Sequence, residues 1–282
     1  MISSDDGILI LGGKGMLGSD IAKTCKQEDF DVKILDLPEF DITNHRQFEK
    51  TLGNAQIIIN CAAYTDVDGA ETNPDLAYQV NAEAVGRLGI FALEHNKWIL
   101  HISTDFVFSG DLERPYMETD AANPINIYGK TKLAGEQLLA KSGCNHCILR
   151  IEWTYGSGGD NFVTKLAERA KSADMLKVVD DQIGSPTATT EVARAICALI
   201  NHEPQGIYHF ASSGYASRFE TARFVFDKLS MDVKLLPCKT SDYSSAAARP
   251  LNSRFNCSKI TALLGSPIED WKVPLERFLR NI

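Results

Sequence analysis

The stretch "GILILGGKGMLG", residues 7–18, decides the fold class of this chain of 282 residues. A continuous apolar run ends in the spacing Gly12-x-x-Gly15-x-x-Gly18, and residues 16–27 then show helical spacing. Such an apolar run is typical of a buried parallel strand. Glycine lets the turn adopt a positive φ and approach a pyrophosphate, and the following helix N-terminus offers free N–H groups. We therefore predict a dinucleotide-binding turn, with a plain tight turn as the alternative.

Strands and helices alternate after this turn. Further apolar runs lie at 31–36, 55–63, 97–104 and 147–151, and segments with helical spacing separate them. Right-handed crossovers between such strands build a doubly wound parallel sheet. We predict an α/β protein in which a Rossmann-type doubly wound parallel sheet is followed by a smaller C-terminal α/β substrate lobe.

The pattern loosens after the fifth predicted strand, which suggests two lobes. Residues 1–152 are expected to form the dinucleotide-binding domain, and the helical segment 187–203 to return to it. Residues 153–186 and 204–282 would form the substrate-binding lobe, with isolated strands such as "GIYHF".

Composition and charge exclude several classes of function. The formal net charge is −8 with both signs interspersed, so no broad basic surface is available for nucleic acid or an anionic membrane. No apolar run is long enough for a membrane span, and the N-terminus lacks the basic region of a signal peptide. Seven scattered cysteines include one lone C-x-x-C pair, which gives no zinc pattern. We expect a cytoplasmic protein with reduced thiols, no metal site, and neither a membrane nor a nucleic-acid partner.

Residues at the ends of the second and third strands suit a dinucleotide. Asp36 can hydrogen-bond an adenosine ribose 2′-OH and would repel a 2′-phosphate, which favours NAD(H); a strand-end acid that caps a loop is the alternative. Asp41 is a candidate for the adenine region. Ala62, Ala63 and Thr65 would leave room for ribose and diphosphate, or would serve close helix–sheet packing. The cofactor prediction is NADPH or NADH.

Polar residues follow the fourth strand in "ISTDFVFSG" (102–110), and "YGKTK" (128–132) begins the next helix. Ligands of open α/β sheets bind beyond the carboxyl ends of strands, where these residues fall. Reduction of a carbonyl needs a proton donor at its oxygen. Tyr128 is the candidate donor, Lys132 would lower its pKa and hold the nicotinamide ribose, and Thr104 would orient the carbonyl oxygen. A strand end and a chance helical pair are the alternatives.

Together these features resemble the extended short-chain dehydrogenase/reductase family. The matching segments run through nearly the whole chain: "AAYTDVDGAE", "STDFVFSG", "PINIYGKTKLAGE", "DDQIGSPT", "GIYHF" and "ARPLNSRFN". The resemblance narrows to members that reduce the C4 ketone of dTDP-4-dehydro-β-L-rhamnose for polysaccharide biosynthesis. It implies a nucleotide-sugar substrate, Tyr128 as proton donor and, as one expectation, a homodimer.

The resemblance also implies roles for individual residues. Thr104, Tyr128 and Lys132 would be catalytic, and Thr104, Asp105 and Trp153 would contact the sugar nucleotide, with Arg249 paired to its diphosphate. Together with the glycine turn and the strand ends, the cofactor set is Gly12, Lys14, Gly15, Met16, Gly18, Asp36, Asp41, Ile42, Ala62, Ala63, Tyr64, Thr65, Tyr128 and Lys132.

Three departures from the family pattern leave the exact sugar open. Glu152 replaces a small polar residue and adds a charge near the sugar, Phe106 replaces a common tyrosine, and "SSAAARP" (244–250) lacks a proline. Another nucleotide-deoxysugar reductase, an epimerase, or a regulatory subunit resembling the methionine adenosyltransferase β-subunit are the alternatives. Some members dimerise around a divalent ion, but Asp20 and Glu191 give no coherent ligand set.

Overall fold

The computed structural model describes residues 7–282. The first six residues, which enter the prediction that the N-terminus is no signal peptide, lie outside that range. Within it, no helix is both long and apolar enough to cross a membrane. The helices and strands are, in order, β1 (Ile8–Leu11), α1 (Met16–Gln27), β2 (Val32–Leu35), α2 (Phe48–Leu52), β3 (Ile57–Asn60), α3 (Val67–Thr72), α4 (Pro74–Tyr78), α5 (Ala84–Glu94), β4 (Trp98–Thr104), α6 (Ile127–Ser142), β5 (Asn145–Ile151), β6 (Thr154–Tyr155), α7 (Phe162–Ala170), β7 (Met175–Val179), β8 (Ile183–Gly184), β9 (Thr187–Ala188), α8 (Thr189–His202), β10 (Gly206–Phe210), β11 (Ala216–Ser217), α9 (Arg218–Leu229), β12 (Lys234–Cys238), α10 (Ser258–Leu264) and α11 (Lys272–Leu279).

A six-stranded sheet forms the centre of the protein, in the order β10-β5-β4-β3-β1-β2. Every neighbouring pair in it is parallel. The chain runs from β1 to β2 on one side and returns to place β3 on the other side of β1. This reversal leaves a crevice at the carboxyl ends of β1 and β3, where ligands of doubly wound sheets bind. The predicted α/β fold class is confirmed.

Alternating side chains of the strands build two buried layers, one on each face of the sheet. Ile8 and Ile10 pack with residues of α1 and α8, whereas Leu9 and Leu11 pack with residues of α2, α5 and α6. Successive strand residues point to opposite faces, so a strand covered on both sides is apolar throughout. The uninterrupted apolar run of β1 is therefore explained by helices on both faces.

A further apolar cluster joins three helices and several short strands into a smaller lobe. It contains residues of α7, α9 and α11, which cover the short parallel pair β7–β12 and the antiparallel pair β8–β11. Capping boxes begin α7 at Asn161 and α9 at Ser217, whose side chains each accept a hydrogen bond from a first-turn N–H. The second of these caps positions Arg218, the first residue of α9.

The placement of "GIYHF" in the smaller lobe was wrong. This segment is β10, and it pairs with β5 as the edge strand of the main sheet. A short apolar strand carries no local signal for the sheet it joins, because either sheet would bury the same side chains. Residues 206–210 therefore belong to the main sheet and not to the lobe predicted at 204–282.

One helical segment, α4 to α5, contains a single π-helical turn, Gln79–Glu83. Its Asn81 is fully buried, accepts a hydrogen bond from the Tyr64 backbone N–H and donates to the Tyr64 carbonyl oxygen. The same amide donates to the Thr131 hydroxyl of α6. Single π turns commonly occur at functional sites. Here the turn ties the loop after β3 to the helix that carries Tyr128 and Lys132.

Candidate active site

The glycine turn lies at the carboxyl end of β1 and leaves no space for side chains. Gly12 has φ +71°, and a Cβ atom on it would lie 2.7 Å from the backbone nitrogen of Ala62. A Cβ atom on Gly18 would lie 2.3 Å from the Gly12 carbonyl oxygen. No side chain caps the N-terminus of α1, whose first N–H groups lack intrahelical partners. The turn thus offers backbone N–H groups and a positive helix end to an anion.

Asp36 stands beside this turn, at the end of β2. One carboxylate oxygen accepts a hydrogen bond from the Lys14 backbone N–H at 2.8 Å, and the other accepts one from the Leu37 N–H at 2.8 Å. The Lys14 ammonium pairs with Glu39 at 2.7 Å. Two backbone donors thus hold the Asp36 carboxylate in place, with a lysine cation at the same edge of the site.

A cavity of about 770 Å³ runs from the glycine turn past the ends of β3, β4 and β5. Its walls come from both the main sheet and the smaller lobe. The sequence-predicted residues that line it are Gly12, Gly15, Met16, Gly18, Asp36, Asp41, Ile42, Ala62, Ala63, Thr65, Thr104, Asp105, Tyr128, Lys132 and Trp153. Residues from six separate segments therefore meet at one edge of the sheet.

Three predicted residues do not line this cavity. Lys14 is held toward Glu39, and the Tyr64 backbone is bound by Asn81. Arg249 pairs with Asp68 at 2.7 Å and donates to the Ala247 carbonyl oxygen. This ion pair is the first cause that holds the pKa of Asp68 below its ordinary value. The structure therefore places Arg249 on a protein carboxylate near the site.

The Thr104 hydroxyl occupies the end of β4, where the strand passes into a short 3₁₀ turn. It donates to a carboxylate oxygen of Asp105 at 3.0 Å and accepts from the Phe106 N–H at 3.2 Å. The other Asp105 oxygen accepts a hydrogen bond from the Ser253 hydroxyl. Burial is the first cause of a raised pKa for Asp105, which is 3% exposed. Thr104 thus has its orientation determined on both sides.

Tyr128 lies in the first turn of α6 and faces Thr104. Burial raises the pKa of its phenol well above the ordinary value, the charge of Asp105 raises it further, and a hydrogen bond with Thr104 opposes both. The sequence predicted the reverse, a pKa lowered by Lys132. That prediction was wrong for the structure as it stands, because burial of the phenol and the negative charge of Asp105 both disfavour the phenolate. Tyr128 is therefore protonated at neutral pH.

The Lys132 ammonium contacts two residues of strand β4. It donates to the Ile102 carbonyl oxygen at 2.7 Å and lies 3.4 Å from the His101 ring nitrogen Nε2. Burial lowers the pKa of Lys132 to about 8, while the Glu136 charge opposes the shift. Burial, and then the charge of Lys132, lower the pKa of His101 well below its usual range, so the imidazole is neutral.

A buried ion pair supports α6 beneath these residues. Glu136, one turn after Lys132, accepts two hydrogen bonds from the Arg150 guanidinium, at 2.9 and 2.6 Å. The Ser103 hydroxyl donates to the same carboxylate, and both ionic side chains are 3% exposed. The bidentate pair therefore links α6 to β4 and β5 directly under the site.

Comparison with known proteins gives the family. The model of the RmlD substrate binding domain matches residues 6–282. A dTDP-4-dehydrorhamnose reductase of Aggregatibacter actinomycetemcomitans is 38% identical over 290 residues, covering 98% of this chain and 97% of the relative. This chain belongs to the dTDP-4-dehydrorhamnose reductase family. The family consists of oxidoreductases, so the resemblance seen in the sequence is confirmed.

Two further similar proteins, one of them a solved structure, agree with this family assignment. A spore coat polysaccharide biosynthesis protein of Bacillus subtilis is 34% identical over 276 residues, with 97% of each chain covered. A dTDP-4-dehydrorhamnose reductase of Bacillus anthracis, solved in complex with NADP, has a TM-score of 0.94 and 36% identity, and the match covers 99% of this chain and 100% of that one. The dTDP-4-dehydrorhamnose reductase fold thus extends over the whole described chain.

The family resemblance did not reveal one prominent wall residue, Arg218. Its guanidinium lies 3.6 Å from the centre of the Trp153 ring and 4.8 Å from that of Phe162. Trp153 has φ +45°, an unusual backbone conformation for a bulky residue. Glu152, flagged as a departure from the dTDP-4-dehydrorhamnose reductase pattern, also lines the cavity and is 1% exposed. No local motif marked Arg218, because only the packing of α9 brings it to the cavity.

No cluster of three or more metal-ligating side chains occurs in residues 7–282. Of the two candidate ligands, Asp20 accepts a hydrogen bond from Thr189. Glu191 is paired with Arg194 and Arg277. Both carboxylates therefore have protein partners.

Proposed function

We propose that this chain reduces the C4 ketone of dTDP-4-dehydro-β-L-rhamnose to dTDP-L-rhamnose, with NADPH or NADH as reductant and Tyr128 as proton donor. One observation carries the proposal: Tyr128, Lys132 and Thr104 line the same cavity as a glycine turn that has no space for a Cβ atom at Gly12 or Gly18. The names of the relatives support the substrate. We propose the cytoplasm as its location, because all seven cysteines are free thiols.

The residues present fit a dinucleotide. The turn at Gly12 and Gly18 leaves backbone room for a pyrophosphate, and the uncapped start of α1 supplies N–H donors. The positioned Asp36 carboxylate suits a ribose 2′-OH, while the neighbouring Lys14 provides a cation for a 2′-phosphate. The Bacillus anthracis relative holds NADP. Use of either reduced cofactor is therefore proposed.

The reaction follows from the groups around the carbonyl position. When bound, the reduced nicotinamide supplies the hydride that adds to the carbonyl carbon. The Tyr128 hydroxyl can polarise the carbonyl oxygen and bear its developing charge, and the Thr104 hydroxyl can join it once its proton turns from Asp105 to the substrate. Tyr128 then gives its proton to that oxygen, which the raised pKa allows because the phenol remains protonated before reaction.

Lys132 contributes positive charge in the same cavity. Its ammonium is anchored on the Ile102 carbonyl oxygen, and its remaining N–H groups can hold a ribose hydroxyl. A cation within a few ångströms stabilises a phenolate once the proton has left. We propose that this compensation acts during the reaction, since burial determines the pKa of Tyr128 before it.

The rest of the cavity would hold the sugar nucleotide. Trp153 offers an aromatic face for a sugar ring, and Asp105 lies next to Thr104 at the reacting end. We propose that the smaller lobe supplies this half of the site, and that Arg249 binds the diphosphate only after leaving Asp68. The homodimer expected from the resemblance is likewise proposed.

The proposed reaction predicts stoichiometric oxidation of NADPH or NADH when the purified protein meets dTDP-4-dehydro-β-L-rhamnose. The measurement is loss of absorbance of the reduced nicotinamide, together with identification of dTDP-L-rhamnose as product. Oxidation with a different keto-sugar nucleotide alone would overturn the substrate. Conversion of a sugar nucleotide without net oxidation would indicate an epimerase, and absence of turnover with any of them would favour a regulatory subunit.

Replacement of Gly18 by alanine is expected to weaken NADPH binding at least about tenfold, which corresponds to about 1.4 kcal/mol. The added Cβ would lie 2.3 Å from the Gly12 carbonyl oxygen, so the turn must shift. Titration of the cofactor by calorimetry measures the effect. Gly7→Ala is the matched control, because a Cβ there meets nothing within 4 Å. Equal affinities for the two variants would contradict the pyrophosphate role of the turn.

A further inference from the structure

The Glu152 carboxyl group is buried in the cavity wall with one oxygen unused. Oε2 accepts a hydrogen bond from the Ser185 N–H at 3.0 Å, while Oε1 has no hydrogen-bond partner in the described part of the chain. Burial, and then the charge of Asp105, raise the pKa of Glu152 well above its ordinary value; the Phe255 N–H opposes this shift but makes no hydrogen bond to Oε1. An unsatisfied buried polar group is energetically unfavourable. Such an atom beside a ligand cavity indicates a missing ligand group.

The guanidinium of Arg218 is the second unused group of this wall. It packs on the Trp153 and Phe162 rings, and its side-chain N–H groups make no hydrogen bond or ion pair with any residue of 7–282. Burial lowers its pKa to about 10, with the charges of Asp105 and Glu152 opposing. Arg218 therefore stays charged and offers donors that the protein leaves unused.

An internal ion pair does not account for these two residues. Their charges act on each other, yet no nitrogen of Arg218 lies within 4.0 Å of a carboxylate oxygen of Glu152. Gly184 packs closely against Glu152 and Trp153. A Cβ atom on Gly184 would lie 2.6 Å from Glu152 Oε2 and 2.6 Å from the Trp153 ring. Both groups are therefore held at the cavity while neither satisfies the other.

The two groups lie at the reacting end of the cavity. Thr104 and Ile151 are paired at the ends of the neighbouring strands β4 and β5, and Asp105 and Glu152 follow them directly. Arg218 packs on the ring of Trp153, the next residue after Glu152. A sugar whose carbonyl oxygen meets Thr104 and Tyr128 would thus bring its ring toward Glu152 and Arg218.

We propose that Glu152 and Arg218 form a subsite that binds hydroxyl groups of the sugar ring and so selects hydroxylated sugars. The proposal rests on the proposed function. A hydroxyl group is donor and acceptor at once, so it can donate to Glu152 Oε1 and accept from the Arg218 guanidinium. An apolar or deoxygenated ring position would leave both groups unpaired in a buried site, and sites of this kind discriminate strongly against such analogues.

The test compares the binding of dTDP-L-rhamnose with that of dTDP by calorimetry. The ratio of the two affinities measures the contribution of contacts to the sugar. The affinity for dTDP alone shows whether the fold and the nucleotide site are intact. We expect Glu152→Ala and Arg218→Ala each to weaken dTDP-L-rhamnose binding at least about tenfold, because each removes a hydrogen-bond partner of a buried sugar hydroxyl. Binding of dTDP is expected to remain unchanged.

Two further variants control the result. Glu152→Gln keeps the shape and one acceptor oxygen, so it is expected to retain more of the sugar affinity than the alanine variant. Glu168→Ala removes an exposed glutamate of α7 that pairs only with Lys171, and both affinities should match the wild type.

Three outcomes would overturn the subsite. These are an unchanged affinity ratio in both alanine variants, an equal loss for dTDP and dTDP-L-rhamnose, and no binding of either ligand by the wild type. If the wild type oxidises NADPH with the keto sugar but the alanine variants keep the wild-type ratio of dTDP-L-rhamnose to dTDP affinity, only the subsite is contradicted. If Glu152→Ala lowers this affinity ratio but the wild type oxidises no NADPH, the proposed reaction is contradicted and the subsite is supported.

Discussion

Tyr128→Phe is expected to lower kcat for ketone reduction by about 10²–10⁴, the usual contribution of general acid–base catalysis. The substitution removes only the hydroxyl, so the ring keeps its edge contact with Phe106 at 5.6 Å between centroids. Burial keeps this phenol protonated before reaction, and no other described tyrosine lines the cavity to replace it. Single-turnover oxidation of NADPH with the keto sugar measures the loss.

Controls separate loss of chemistry from loss of binding. Tyr78→Phe removes a hydroxyl from a tyrosine that is 43% exposed on α4, and its kcat should equal that of the wild type. The Tyr128 variant should still bind NADPH with an affinity within a few-fold. Wild-type kcat in that variant would remove the proton-donor role, whichever sugar is the substrate.

Arg150→Met is expected to lower the free energy of unfolding by about 3–5 kcal/mol, because it leaves an uncompensated buried charge on Glu136. The pair is 3% exposed and bidentate, and it joins α6 to β5. Urea denaturation followed by circular dichroism measures the change. Catalysis is expected to suffer as well, since Lys132 lies one turn from Glu136.

Two companion variants test the electrostatic explanation. Lys171→Met breaks the exposed pair with Glu168 and should cost no more than about 1 kcal/mol, as exposed pairs do. The double variant Glu136→Leu with Arg150→Met removes both charges and should regain part of the lost stability. A double variant less stable than Arg150→Met would contradict the buried charge as the cause.

The meeting of the candidate catalytic residues in one cavity could be predicted because their positions follow from topology. Thr104 ends β4 and Tyr128 begins the following crossover helix, and parallel strands bring such positions to one edge of the sheet. The glycine turn after β1 reaches the same edge for the same reason. Spacing along the chain was sufficient for these residues.

Spacing along the chain could not predict the pKa of buried groups or the contacts between residues distant in sequence. Lys132 was predicted to lower the pKa of Tyr128, but burial of the phenol proved larger, and burial is not visible in a motif. Arg218 reaches the cavity through the start of α9, far along the chain from Trp153. Arg249 was predicted at the substrate diphosphate, yet a carboxylate of α3 binds it.

The sequence by itself determined the doubly wound sheet, the glycine turn, the catalytic candidates and the family, because each depends on short-range spacing and on strand ends that topology brings together. Tertiary structure alone decided that β10 completes the main sheet and that Tyr128 stays protonated. It also decided that Glu152 Oε1 and the Arg218 guanidinium lie at the cavity with no hydrogen-bond partner among residues 7–282. These properties depend on which distant segments exclude water from one another, and that is set by three-dimensional packing rather than by local pattern.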